Sequence, residues 1–106
     1  MGERVTIART DEVPPGTVRY VAIAGKRLAL CHVDGEFYLI DDVCTHDGGP
    51  LDQGELFGYE IECPRHGARF DVRTGRVRRL PAIRPIRTYP VTVEDGKVVV
   101  ELEALT

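Results

Sequence analysis

The chain has no tryptophan and one methionine, and no apolar run approaches the roughly 18 residues that a membrane span needs. Its first residues, Met1-Gly2-Glu3-Arg4, offer no basic region followed by an apolar stretch, so neither a secretory leader nor a membrane anchor is expected. Cysteine is scarce and odd in number, at three, and two of the three stand beside histidines; a disulfide framework is therefore a poor explanation. A reducing, cytoplasmic setting follows. Lysine and arginine are absent from 33–62, which holds nine acidic residues, whereas 63–90 holds eight arginines against Asp71 alone. The net charge of -3 argues against nucleic-acid binding. The local asymmetry leaves two readings, ion pairs between adjacent strands or steering towards a charged partner.

What is present suits a single small domain spanning 1–106: 106 residues, 42% hydrophobic, with seven prolines and eleven glycines. The apolar stretches are short, rich in valine and isoleucine and separated by turn signals, which is the pattern of strands rather than helices. Strands are expected over 4–8, 17–23, 27–33, 36–40, 59–62, 69–72, 86–93 and 97–101. Gly25-Lys26, Asp34-Gly35, Thr74-Gly75 and Asp95-Gly96 supply tight turns between them. The fold class is all-β, an antiparallel sandwich or barrel. A rigid Pro14-Pro15-Gly16 turn should bring the first strand against the main sheet. The stretch 43–67 interrupts the strand pattern, and a proline-bearing passage around Pro81 and Pro85 is a second irregular segment.

Two clusters of one chemistry occupy that interruption, Cys44-Thr45-His46 and Cys63-Pro64-Arg65-His66. Each brings one thiol and one imidazole. Two sulfur and two nitrogen donors could form a tetrahedral zinc site, but zinc fingers usually group Cys with Cys and His with His. Mixed pairs on two loops are better suited to two iron atoms in different surroundings. A cysteine nucleophile with a histidine base would not explain the duplication. Gly48, Gly49 and Gly67 would let backbone N–H groups approach a cluster's sulfides, and Pro50 and Pro64 would stiffen the loops. Cys31 and His32 lie within an expected strand; Cys31 reads as a buried thiol and His32 as an ordinary strand residue. Tyr20, Tyr38, Phe57 and Tyr59 are expected to pack the sheets.

The spacing Cys-x-His followed by Cys-x-x-His resembles the Rieske 2Fe-2S signature. The run Gly67-Ala68-Arg69-Phe70-Asp71-Val72-Arg73-Thr74-Gly75 is similar to the continuation that closes that family's second cluster loop. The resemblance covers nearly the whole chain. It implies a Rieske-type antiparallel β fold with a small cluster-binding subdomain at about 43–67, and one Rieske 2Fe-2S cluster. Cys44 and Cys63 would hold one iron, His46 and His66 the exposed one, and the passage around Pro81 would cover the cluster.

Departures within the resemblance narrow the subtype. Respiratory members carry a disulfide whose two positions are Gly49 and Arg65 here. They also carry a serine and a tyrosine that donate hydrogen bonds to sulfur, where this chain has Ala68 and Phe70, neither able to donate. Such bonds stabilise the more negative reduced state, so their absence implies a lower potential and argues against quinol oxidation. The chain is similar instead to ferredoxin components of bacterial ring-hydroxylating dioxygenase systems. That implies a monomeric electron carrier without activity of its own, passing single electrons from a flavin-containing ferredoxin reductase to a terminal Rieske non-haem iron oxygenase. The alternative is a Rieske-like small subunit of a nitrite reductase or another oxidoreductase complex.

Overall fold

Three two-residue turns organise the chain, and each places both central residues at positive φ: Ala24 and Gly25 (53° and 75°), Asp34 and Gly35 (52° and 83°), Asp95 and Gly96 (52° and 74°). These turns match the right-handed twist of the strands they join. The first is centred on Ala24-Gly25 and not on Gly25-Lys26, because Ile23 pairs with Lys26. The structure, a computed structural model, describes residues 3–45 and 48–105. His46 lies outside the described residues.

Three antiparallel sheets result, as the short-strand pattern requires. In the first, β1 (Arg4–Arg9) pairs with the last strand of the chain. The second begins with β2 (Val18–Ile23), β3 (Lys26–Val33) and β4 (Glu36–Asp41). The third is a meander of β5 (Glu55–Phe57), β6 (Glu60–Glu62), β7 (Arg69–Asp71) and β8 (Val77–Arg79). After it, β9 (Thr88–Tyr89) adds to β4, while β10 (Thr92–Glu94) and β11 (Lys97–Glu101) complete the first sheet. A 3-10 turn at Leu102–Leu105 follows.

The expected single strand over 86–93 is two strands in different sheets. Pro90 divides them; it lacks the N–H that a continuous ladder would use. The segment before β2 brings the first strand against the main sheet as expected, with Ile7 and Ala8 packing in one apolar cluster with Leu28, Leu30 and Leu39. β1 lies in a sheet separate from β2–β4, and the Pro-Pro-Gly turn is fastened to β3, where Gly16 N–H reaches the His32 carbonyl at 2.8 Å and His32 N–H reaches Thr17 at 3.1 Å. His32 itself holds this turn, with Nδ1 at 2.6 Å from the Val13 carbonyl and its ring stacked 4.2 Å from that of Phe37.

Apolar side chains divide into two clusters. One, with Leu28, Leu30, Leu39, Val98, Val100 and Leu105, lies between the first two sheets. The other joins the second and third sheets and contains Cys31, Cys44, Ile61, Cys63, Phe70 and Ala82. Tyr38 and Tyr59 pack against this second cluster, as expected, and meet edge to face at 6.0 Å. Tyr20 and Phe57 do not pack the sheets: each is 44% exposed, and the Phe57 face is covered by the Arg69 guanidinium at 4.2 Å. Both stand on edge strands, where one side of the ring has no neighbour to bury it.

Candidate metal centre

Two cysteines emerge from different sheets through loops that share one backbone pattern. At the end of β4, Cys44 N–H donates to the Gly49 carbonyl at 2.8 Å, and Gly48 N–H returns to the Cys44 carbonyl at 2.8 Å. Between β6 and β7, Cys63 N–H donates to the Ala68 carbonyl at 2.7 Å, and Gly67 N–H returns to the Cys63 carbonyl at 3.0 Å. In both loops the returning residue is a glycine at φ 77°. That backbone region is open to glycine at little cost, which explains the residue type at both positions. The N–H groups of Gly48 and Gly67 thus close the two turns onto the cysteine carbonyls.

Both thiols are buried in the same apolar cluster, beside Ala68, Phe70, Ala82 and Ile86. His66, three residues after Cys63, is solvent-exposed. Two buried sulfur donors with an imidazole at the surface form the donor set that a cluster with one inner and one outer iron would require. Among the described residues no three His, Cys, Asp or Glu side chains already converge as a metal-binding group. With His46 outside them, the described part of the set is Cys44, Cys63 and His66. Cys31 is not part of it. Burial first, and then the charge of Asp42, push its thiol up to about 12, so it stays protonated.

Two further residues shape the first loop, and neither stood out in the sequence. Asp42 is almost wholly buried, and its Oδ1 accepts the Leu51 N–H at 2.7 Å and the Asp52 N–H at 2.6 Å. This ties the return of the loop to its start. Burial and a hydrogen bond with the Asp52 carboxyl push the Asp42 carboxyl up to about 7, against the two N–H donors, which act in the other direction. Thr45 lies between the two expected ligands, and its hydroxyl donates to the Arg84 carbonyl at 2.6 Å. A recess of about 480 Å³, lined by Val43, Cys44, Thr45, Gly48, Arg84 and Pro85, marks this seam. A neighbouring pair of short polar residues, Asp41-Asp42, at the end of an otherwise apolar strand was the available signal for the first. For Thr45 there was none, because its partner is a backbone carbonyl 39 residues away.

The third segment, 80–85, connects the two loops. It begins one residue after Arg79, which pairs with Arg69 at the exit of the second ligand loop, and it ends at the Thr45 contact on the first. The Leu80–Pro81 bond is cis. Ala82 points into the core with the cysteines. Below, Arg73 bonds the Asp71 carboxylate through its backbone N–H at 2.8 Å, Nε at 3.1 Å and Nη2 at 2.9 Å, and its guanidinium lies 4.0 Å from the Tyr59 ring. Among the described residues no helix is long and apolar enough to cross a membrane.

The model of the Rieske [2Fe-2S] domain matches residues 3–90. The ferredoxin component of a naphthalene 1,2-dioxygenase system from Pseudomonas aeruginosa is 47% identical over 91 residues, covering 86% of this chain and 88% of that one. Among solved structures, the Sphingomonas yanoikuyae B1 ferredoxin superposes with a TM-score of 0.89 at 38% identity, covering 93% of this chain and 98% of the other. A chain from a complex of reduced oxygenase and oxidized ferredoxin in carbazole 1,9a-dioxygenase superposes with a TM-score of 0.87 at 36% identity, covering 92% of each chain.

Proposed function

The chain belongs to the Rieske [2Fe-2S] domain family, and on that premise we propose that it is the ferredoxin component of an oxygenase system, moving single electrons from a flavin-containing reductase to a terminal Rieske non-haem iron oxygenase. It carries one Rieske-type 2Fe-2S cluster, which supplies the one-electron chemistry. We assign Cys44 and Cys63 to the inner iron and His46 and His66 to the outer one. The observation that carries this assignment is the pair of matching loops, each presenting a buried thiol to one apolar cluster. In this reading the chain has no catalytic residue of its own. It works in the cytoplasm as a monomeric carrier, and the exposed His66 edge is where electrons leave.

Ala68 and Phe70 are both fully buried beside Cys63 and offer no hydroxyl, which favours a low-potential carrier. Electron paramagnetic resonance of the dithionite-reduced protein tests the ligands, with His46→Cys and His66→Cys alongside. Each substitution should shift the spectrum away from the Rieske type, and a spectrum unchanged by both would refute the assignment. Reoxidation of the reduced protein by a terminal oxygenase tests the carrier role.

A further inference from the structure

The two most exposed large apolar side chains among the described residues, Ile83 at 80% and Leu80 at 71%, stand on the same short segment. That segment is the bridge between the ligand loops. It is held at both ends, by the β7–β8 pairing up to Arg79 and by the Thr45 hydroxyl on the Arg84 carbonyl, with buried Ala82 in its middle and Pro81 and Pro85 restricting its backbone. Exposed aliphatic groups on a fixed segment can be buried by a partner with little loss of conformational freedom. Arg84, between them and Pro85, is exposed and makes no ion pair among the described residues, unlike Arg69, Arg78 and Arg79.

We infer that Leu80 and Ile83 anchor the terminal oxygenase, inserting into an apolar depression with acidic side chains at its rim that meet Arg84. This rests on the carrier reading above and adds the residues that select the acceptor. The oxygenase is the favoured occupant because this fold superposes over 92% of a chain taken from an oxygenase–ferredoxin complex, and because an anchor beside both ligand loops brings the cluster edge to the acceptor. Side chains that are fully desolvated near the centre of a contact, with a border that excludes water, carry most of its binding energy, and arginine is enriched among them.

The test uses dithionite-reduced holoprotein, freed of excess reductant, mixed in a stopped-flow cell with the oxidised terminal oxygenases of the naphthalene 1,2-dioxygenase and carbazole 1,9a-dioxygenase systems. Reoxidation is followed by visible absorption as oxygenase concentration is varied. Leu80→Ser and Ile83→Ser should each raise the half-saturating concentration at least about fivefold, with the limiting rate and the reduction potential unchanged. Arg84→Glu should weaken binding most at low salt. Val93→Ser, at a 52% exposed valine on β10 in a different sheet, should change nothing. Half-saturation within twofold of the parent for both serine variants would overturn the anchor. Equal or greater slowing of reduction by the flavin-containing reductase would overturn its assignment to the oxygenase. Failure of the parent protein itself to be reoxidised by either oxygenase would refute the carrier reading and remove the anchor with it.

Discussion

Removing the Asp71 carboxylate tests a polar junction that closes the turn after β7. Its oxygens accept three bonds from Arg73, and its backbone carbonyl accepts the N–H groups of Gly75 at 2.7 Å and Thr74 at 3.3 Å, so this residue closes the turn that links β7 to β8. Its side chain is only 11% exposed, whereas that of Arg73 is 49% exposed. The guanidinium therefore stays partly screened, and the pair contributes less than a fully buried one. Bonds to a charged group contribute about 1.5 to 3 kcal/mol, and the exposure of Arg73 places Asp71→Ala near the lower half, at about 2 kcal/mol. For a domain of this size that lowers the thermal midpoint by roughly 8 °C. Asp71→Asn, which keeps the backbone acceptor and one side-chain acceptor, should lose about half as much.

The pH dependence fixes the sign. The Arg73 hydrogen bonds hold the Asp71 carboxyl below its ordinary value of 3.8, although burial acts in the other direction. A carboxylate with a depressed folded-state pKa contributes stability above its unfolded value, and loses it as pH falls through the folded value. Between pH 5 and 8 the deficit of Asp71→Asn relative to the parent should therefore be constant, and it should shrink only below about pH 4. Thermal unfolding of the holoprotein by circular dichroism, at one scan rate across that range, measures it. A deficit that grows between pH 5 and 8, or no deficit at pH 7, would refute the reasoning.

Three other outcomes follow from the packing. A Cβ at Gly54 would lie 1.9 Å from the Glu62 carbonyl oxygen, one residue before Cys63, so Gly54→Ala should destabilise the fold by about 2 to 3 kcal/mol and speed loss of visible absorbance under chelator; parent-like kinetics would contradict this. Cys31 should resist alkylation at pH 8 in the folded holoprotein and react once urea unfolds it, since it is fully buried with a thiol pushed up to about 12; rapid labelling of the folded protein would count against that. Ala68→Ser, placing a hydroxyl beside Cys63, should raise the midpoint potential, by about 59 mV if the new bond favours the reduced state by about 1.4 kcal/mol; a lowered potential in cyclic voltammetry would contradict the sulfur hydrogen-bond argument.

The parts of the fold that the sequence made legible are those governed by a local rule. Asp34-Gly35 and Asp95-Gly96 form two-residue turns because both positions need positive φ, and the apolar runs within strands 26–33 and 97–101 are buried, as their composition led one to expect. The candidate site was legible because the four residues proposed as its donors come in two short runs. What escaped was decided across the chain. β5 and β8 are three residues each, carry charged side chains and exist because neighbouring strands pair with them. Strand 86–93 reads as one apolar stretch, yet the missing N–H of Pro90 lets its halves join different sheets. Asp42 and Thr45 act through backbone groups 9, 10 and 39 residues away, contacts that no spacing rule announces.

The uneven charge illustrates how the same pattern can be spent inside the fold. Pairing β6 with β7 and β7 with β8 sets Glu60 and Glu62 against Arg69, Arg78 and Arg79, with nitrogen–oxygen distances of 2.9 to 3.5 Å, and Arg73 closes on Asp71. Much of the arginine-rich stretch is thus neutralised across the third sheet. That leaves fewer cations to steer a partner than the count of eight implies. Arg84 is set apart because the bridge that carries it is not a strand, and it makes no ion pair among the described residues. Its charge and the aliphatic groups of Leu80 and Ile83 therefore reach solvent together at the rim of the ligand loops, so partner choice should depend more on shape and apolar contact than on long-range attraction.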